Sequence, residues 1–416
     1  MTTGAASPAA ARPEPGPVTI AGLMALFVFA EAANTMFVPV MPAMRGEFGA
    51  ADAVVQYTLS GYILTFGLGN LVCGPLSDRF GRRPVALAGL ALFTLGALVA
   101  VQATDIWIVI LGRVLQGAGA AAGFVVSRAA VRDRFPPAAA PRILSYLFFG
   151  LAVMLVLAPI AGGQLAHLLG WHAVFLAQAA LAVLLFAGCV PLLAGAGQSP
   201  RGQGMRPPQV VSAYAGLLRN PRYLAYLVPH ACAYSAIIAF LAGGAFALSQ
   251  QALDHRELGL ALGIGMTGYL LGAIASAQAH RRLGWGIDRL VWIAALWMTC
   301  ATIALLALRP GYGLSAASFL GLQIAIIFAA GLMSPNTAAG VMAQQPQRAG
   351  LAAALLGSVQ KAAAAAVTVI VVLMLPLIGG IVVPVSQFVL GVTAVLSFHD
   401  LLRRGAARAA AEELPS

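Results

Sequence analysis

Twelve apolar stretches, most of them about twenty residues or longer, follow one another along this chain and leave little room for anything else. They fall near residues 18–42, 53–74, 84–103, 105–128, 142–167, 171–194, 221–250, 257–279, 287–308, 312–343, 349–376 and 380–402. Each is long enough to cross a hydrocarbon core of about 30 Å as a helix. A helix is also the one shape in which a single segment satisfies its own backbone polar groups away from water. Charged residues make up only 9% of the chain, against about 25% in ordinary soluble domains. The expected fold is an all-α integral membrane protein with twelve transmembrane helices.

One long polar, Gly/Pro-containing interruption lies at residues 195–220. It predicts two pseudo-symmetric six-helix bundles, 18–194 and 221–403, with a cytoplasmic linker between them and tails at 1–17 and 404–416. Within the linker, Tyr214 to Arg219 reads as a short amphipathic helix. Two echoes fit an internal duplication: AAAGFVVS at Ala120–Ser127 with TAAGVMAQ at Thr337–Gln344, and DRFG at Asp78–Gly81 with RRLG at Arg281–Gly284. The first apolar run is too long for a signal-peptide core and reads as a retained span.

The formal charge of +11 raises nucleic acid as a partner, and its placement argues against it. With a cytoplasmic N-terminus, nineteen arginines between Arg12 and Arg408 fall on the cytoplasmic side, while only Arg45, Arg256 and Arg309 fall on the other. That asymmetry is the positive-inside pattern of a multi-pass protein with both termini cytoplasmic. Cys73, Cys189, Cys232 and Cys300 sit in or beside apolar spans without CxxC spacing, so they read as small buried hydrophobes. No cofactor or metal is implied. No HExxH, GxSxG or His/Asp cluster in the spans points to an enzyme, and no sizeable soluble domain points to a receptor.

Three charged residues lie deep in spans. Glu31 is about halfway along the first and is the only carboxylate placed to take up a proton at depth; Asn34 and Thr35 share its face. It either couples protons to transport or stays permanently protonated against a neighbouring helix. Arg113 in span 4 shares a face with Gln116, Gly117 and Ala120. A guanidinium there costs about 2.5–3.5 kcal/mol on insertion scales, so it faces a polar cavity or ties helices together through carbonyls. Lys361, the only lysine, falls mid-span in helix 11 on a stripe with Gly357, Ser358, Ala364 and Thr368. It either points into a cavity or snorkels. Further polar candidates for the substrate cavity are Asn34, Thr35, Tyr62, Gln116, Tyr234, Asn336 and Gln360, with His230 as a second titrating group. The deep charges sum to a positive interior, which favours neutral, zwitterionic or anionic substrates over lipophilic cations.

The loop GPLSDRFGRRP joins spans 2 and 3, packing Asp78 and the arginines Arg79, Arg82 and Arg83 between Gly74 and Pro84, with Gly81 at its turn. This loop resembles the signature between helices 2 and 3 of the major facilitator superfamily of transporters. Stretches VPVMPAM (38–44), GRVLQGAGAA (112–121), AVRDRF (130–135), LAPIAGGQLA (157–166), SPNTAAG (334–340) and LLGSVQ (355–360) are similar to its bicyclomycin-resistance (Bcr/CflA) group of drug exporters.

The resemblance implies alternating access in a bacterial inner membrane and proton coupling through the RxxQG of span 4, Arg113 and Gln116. It also implies a gating role for the Asp78 loop; on physical grounds Asp78 is expected to meet the N-terminus of helix 11, whose dipole favours an anion. The Pro159, Gly162 and Gly163 element of span 5 resembles an antiporter motif, with Ala158 where glycine is usual; a plain kink with tight packing is the other reading. The function implied is proton-driven export of a small organic compound, by a protein working as a monomer. The alternatives are an exporter dedicated to a siderophore-like metabolite and a proton symporter importing a metabolite.

Overall fold

The computed structural model describes residues 16–136, 139–194, 207–249, 253–308, 316–344 and 349–412. Twelve of its helices are long and apolar enough to cross a membrane. In chain order they are α1 (Pro17–Phe37), α2 (Asp52–Phe80), α3 (Arg82–Val101), α4 (Ile106–Arg134), α5 (Ala140–Leu169) and α6 (His172–Leu192). Then follow α7 (Pro221–Ser249), α8 (His255–Leu283), α9 (Ile287–Ala307), α10 (Ala316–Ala343), α11 (Ala349–Ile378) and α12 (Val382–Glu412).

Several ends differ from the sequence expectation: α2 runs on to Phe80 and α4 to Arg134, past the expected 74 and 128. The first span continues past residue 42: α1 passes through a 3-10 turn at Val38–Val40 into a short helix, Met41–Phe48. Pro39 and Pro42 lack the amide hydrogens an unbroken α-helix needs there, and Gly49, at φ 59°, ends the segment. At the other terminus α12 stays helical to Glu412, beyond the boundary set at 403. The helix expected at Tyr214–Arg219 spans Pro207–Leu218. The tail 1–15 and linker residues 195–206 lie outside the described residues.

Packing follows one plan twice. Among the first six helices, α1 rests on α4, α5 and α6, α3 rests on α4 and α6, and α2 rests on α4. Advancing every number by six gives the pairs found among the last six. The two sets meet mainly along α2–α11 and α5–α8, which exchange under the same rule. Polar side chains repeat the plan. Gln178 of α6 accepts from Gln116 of α4 (2.9 Å) and donates to the Ala33 carbonyl of α1 (3.0 Å). Gln387 of α12 pairs with Gln323 of α10 (2.8 Å) and donates to the Ala236 carbonyl of α7 (3.1 Å).

This register supports one of the two sequence echoes and corrects the other. Gly81 (φ 96°) and Gly284 (φ 62°) each end a helix in the left-handed region, one after DRF and one after RRL. The echo of Ala120–Ser127 in Thr337–Gln344, by contrast, stands roughly three helical turns out of the register fixed by Gln116 and Gln323. It is a coincidence of alanine-rich sequence.

Glycine allows the closest approaches. A Cβ on Gly162 would meet the Met36 carbonyl of α1, and one on Gly163 would meet the His255 carbonyl and Gly259 of α8. The Pro159–Gly163 element therefore seats α5 between α1 and α8 within an unbroken helix. Large apolar side chains such as Leu64, Trp107, Leu184 and Leu396 point outward. Cys73, Cys189 and Cys232 are buried as expected, whereas Cys300 is exposed on α9.

Candidate functional site

Arg113 is fully buried without touching a carboxylate. Its Nη2 donates to Asn34 Oδ1 (2.8 Å), Nη1 to Gln116 Oε1 (3.1 Å) and Nε to the Thr58 carbonyl (3.3 Å). The guanidinium lies over the rings of Tyr62 (4.1 Å) and Phe37 (4.3 Å), whose π faces attract it. Tyr62 is itself fixed by donating its hydroxyl to the Ala30 carbonyl (2.6 Å). Every partner belongs to the first six helices. Of the two readings of Arg113, the geometry is that of a tie between α1, α2 and α4.

The other two deep charges, read separately in the sequence, meet. The Lys361 ammonium of α11 forms an ion pair with Glu31 Oε1 of α1 and also donates to the Tyr234 hydroxyl of α7. The Tyr234 hydroxyl in turn donates to Glu31 Oε2 (3.0 Å). Phe66 and Tyr234 present their rings to Nζ at 4.6 and 3.8 Å. Lys361 is 0% exposed and Glu31 4%, so snorkelling does not occur in this state. Gly67 of α2 leaves room for the lysine stem. Glu31 stands two residues before the Ala33 carbonyl and Tyr234 two before that of Ala236. Acid and phenol thus occupy equivalent places in the two sets of helices and touch each other.

This pairing changes the electrostatic expectation. With Glu31 ionised, the charge of Lys361 is paired and not free.

The remaining candidates are distributed unevenly. Asn34 turns to Arg113, and Thr35 donates to the carbonyls of Glu31 (3.0 Å) and Ala32 (3.3 Å) in its own helix, so neither side chain serves the Glu31 carboxylate. Gln116 belongs to the Arg113 network. Asn336 donates to Ser276 (2.8 Å) and contacts His280 (2.7 Å), tying α10 to α8 away from the pair. Gln360 is buried beside His230, whose Nδ1 is 2.8 Å from the Thr337 hydroxyl.

Sequence reasoning missed Asn70. It is 0% exposed, and neither Oδ1 nor Nδ2 has a hydrogen-bond partner. It faces Gly357 of α11, one turn along α2 from Gly67.

The expected loop GPLSDRFGRRP is helical except at Gly81; at this α2–α3 junction Arg82, the first residue of α3, donates to Asp78 and the Ser77 hydroxyl (2.6 Å) of α2 and to Asp133 of α4 (2.9 Å). The expected meeting of Asp78 with the N-terminus of α11 is not seen. Asp78 stays within the first six helices, drawn by Arg82 four residues on, while Arg132 of α4 lies against Gly350 at that N-terminus. Arg79 covers the Phe80 ring (5.2 Å) and Arg83 is exposed. Gly74 has open space around it, whereas Gly81 is held at a positive φ. Among the described residues no group of three or more His, Cys, Asp or Glu is placed to hold a metal.

Twelve membrane-length helices packed as two matching sets of six define a multi-pass membrane protein. The model of the Major Facilitator Superfamily matches residues 23–368, and the chain belongs to that family. It is a transporter, not an enzyme. It is 28% identical over 341 residues to the Multidrug resistance protein D of Escherichia coli, covering 81% of this chain and 84% of that one. It is 32% identical over 205 residues to the Multidrug transporter MdfA of Yersinia pestis, covering 48% of this chain and 49% of that one. Among solved structures it is similar to the xylose transporter XylE of E. coli, with a TM-score of 0.69 at 15% identity over 93% of this chain and 96% of that one, a likeness of fold.

Proposed function

We propose that this protein is a proton-coupled antiporter that exports small organic compounds across the bacterial inner membrane by alternating access. The observation that carries the reading is the Glu31–Lys361–Tyr234 cluster, which joins α1 to α7 and α11 across the two sets of helices. A buried ion pair is stable only while both partners are charged and in place. Protonating Glu31 removes one charge and loosens this bridge, so proton occupancy biases the contact between the two sets. The α2–α11 and α5–α8 seams then part at one end or the other.

One proton moving down about 150 mV supplies roughly 3.5 kcal/mol, enough to concentrate an uncharged compound a few hundredfold. Two relatives named as multidrug proteins support export, and the arginine asymmetry supports cytoplasmic termini. Asp78, Arg82 and Asp133 act in this reading as a clasp at the cytoplasmic end of the first six helices. The Arg113 network keeps the α1–α2–α4 group rigid, and Pro159, Gly162 and Gly163 set the α5–α8 seam.

The test is proton release from acidified everted vesicles on adding candidate compounds, comparing wild type with Glu31→Gln. Alkalinisation in wild type and none in the mutant is the expected result. Equal alkalinisation in both would remove Glu31 from the coupling path.

A further inference from the structure

One inward-turned cation has no part in the coupling reading. Arg128 of α4 is half-buried, and its guanidinium turns back over the Phe124 ring (4.4 Å) instead of reaching towards the end of its helix at Arg134. Its Nε donates to the Phe124 carbonyl at 3.4 Å, and among the described residues the rest of the guanidinium has no hydrogen bond or ion pair. The charged side chains around it are Arg132, one turn along α4, and Lys361 of α11, and both repel it. The nearby acids are already engaged. Arg82 holds Asp78 and Asp133, and Lys361 holds Glu31. A cation drawn inwards among other cations, with no anion to balance it, is costly to keep.

Asn70 adds a second unmet demand at the same level. It is 0% exposed, and neither Oδ1 nor Nδ2 of its carboxamide has a partner, whereas buried polar groups in native proteins are ordinarily paired. Helices α2 and α4 touch through Phe66 and Phe124, whose rings meet edge to face at 5.3 Å. The two helices run in the same direction. Asn70 stands one turn beyond Phe66, and Arg128 one turn beyond Phe124. Both therefore lie at one height, towards the Asp78 end of the helices. Across from them is Gly357 of α11, where an added Cβ would come to 3.2 Å from Asn70 Nδ2.

We infer that Arg128 and Asn70 form a binding site for a phosphate group that retains an O–H, either hydrogen phosphate itself or a singly ionised phosphomonoester. The guanidinium offers its free N–H groups as a planar fork that matches two phosphate oxygens. The Asn70 carboxamide donates from Nδ2 to a third oxygen and accepts at Oδ1 from the phosphate hydroxyl. A carboxylate or a sulfate would answer the guanidinium and Nδ2 but leave Oδ1 unpaired, so the donor set selects the protonated oxyanion. Arg132, exposed beyond Arg128, adds attraction at the approach. Entry requires α11 to draw back from α2. The site uses neither Glu31 nor proton exchange, so it goes beyond the antiport reading and does not depend on it. The phosphate has two sources, a soluble phosphate compound or the headgroup of phosphatidic acid, and the experiment separates them.

The full chain, purified in a neutral detergent and a phosphate-free buffer, is titrated with sodium phosphate and separately with sodium sulfate. Binding is followed by the melting temperature and, for phosphate, by broadening of its phosphorus NMR line. Phosphate is expected to raise the melting temperature saturably and to broaden the line. Sulfate is expected to bind at least about tenfold more weakly, because it leaves a buried acceptor unpaired.

Arg128→Gln is expected to abolish the phosphate response and to leave the melting temperature without phosphate unchanged or higher, since an unbalanced cation has been removed. Should that variant fail to fold, Arg128→Lys keeps the charge, loses the fork and is expected to weaken phosphate binding at least about tenfold. Asn70→Leu is expected to lower phosphate binding to the level of sulfate. Competition between inorganic phosphate and phosphatidic acid in nanodiscs assigns the site to the lipid headgroup; undiminished phosphate binding there assigns it to a soluble compound. No phosphate response in the wild type, equal responses to phosphate and sulfate, or a response that survives the Arg128 substitutions overturns the inference. None of these readouts involves transport, so the antiport reading stands or falls separately.

Discussion

Arg113 and Lys361 are both fully buried cations, and the molecule treats them in opposite ways. Arg113 is surrounded by neutral acceptors and aromatic rings, all from the first six helices. Lys361 is held by a carboxylate from the other set of helices. A cation held by carbonyls and rings has no partner that can take up a proton. A cation held by a buried carboxylate has one, and the contact crosses between the two sets of helices. In the proposed antiport reading, Arg113 is framework and Lys361 a moving part.

Substitutions can break or sharpen that contrast. Lys361→Met should have the largest effect, because it leaves a buried acid without its partner: about 3–5 kcal/mol of stability and loss of proton-coupled transport. Adding Glu31→Gln should restore most of the stability, measured as the melting temperature in detergent, and none of the coupling. Arg113→Met should cost about 2–4 kcal/mol, since two side-chain acceptors and a carbonyl lose their donor. No single charge change elsewhere should rescue it; rescue by Glu31→Gln would erase the distinction.

Asp78→Asn should lower turnover roughly tenfold, equivalent to about 1.4 kcal/mol, with membrane insertion intact. Arg82 keeps Asp133 in that variant, and normal turnover would reduce the loop to a topology determinant. Thr35→Ala should change stability by less than about 0.5 kcal/mol, because its hydroxyl bonds only to its own helix. A large loss in transport there would return Thr35 to the candidates for the substrate cavity.

How much of this was legible beforehand follows from what is local. The spans show in the sequence because crossing a bilayer demands contiguous apolar residues, and Glu31, Arg113 and Lys361 stand out against that background by cost alone. The small-residue stripe around Lys361 correctly indicated an inward direction.

What could not be read was which partner each residue finds. Glu31 and Lys361 are 330 residues apart and meet only because α1 and α11 face each other across the seam. Asn34 shares a face with Glu31, yet a guanidinium from another helix claims it. Asn70 gives no signal in sequence at all, because an asparagine in a span is ordinarily paired and only the packed structure reveals that this one is not. The Asp78 loop was conspicuous, but its clasp with Arg82 and Asp133 depends on where α4 ends.

The most direct test of the central claim is an infrared difference titration of the purified protein, following buried carboxyl protonation from neutral to acid pH. The account predicts one carboxyl band that appears on acidification, is absent in Glu31→Gln and shifts its midpoint in Lys361→Met. A band present at every pH at which the protein transports, or one unaffected by both substitutions, would contradict it.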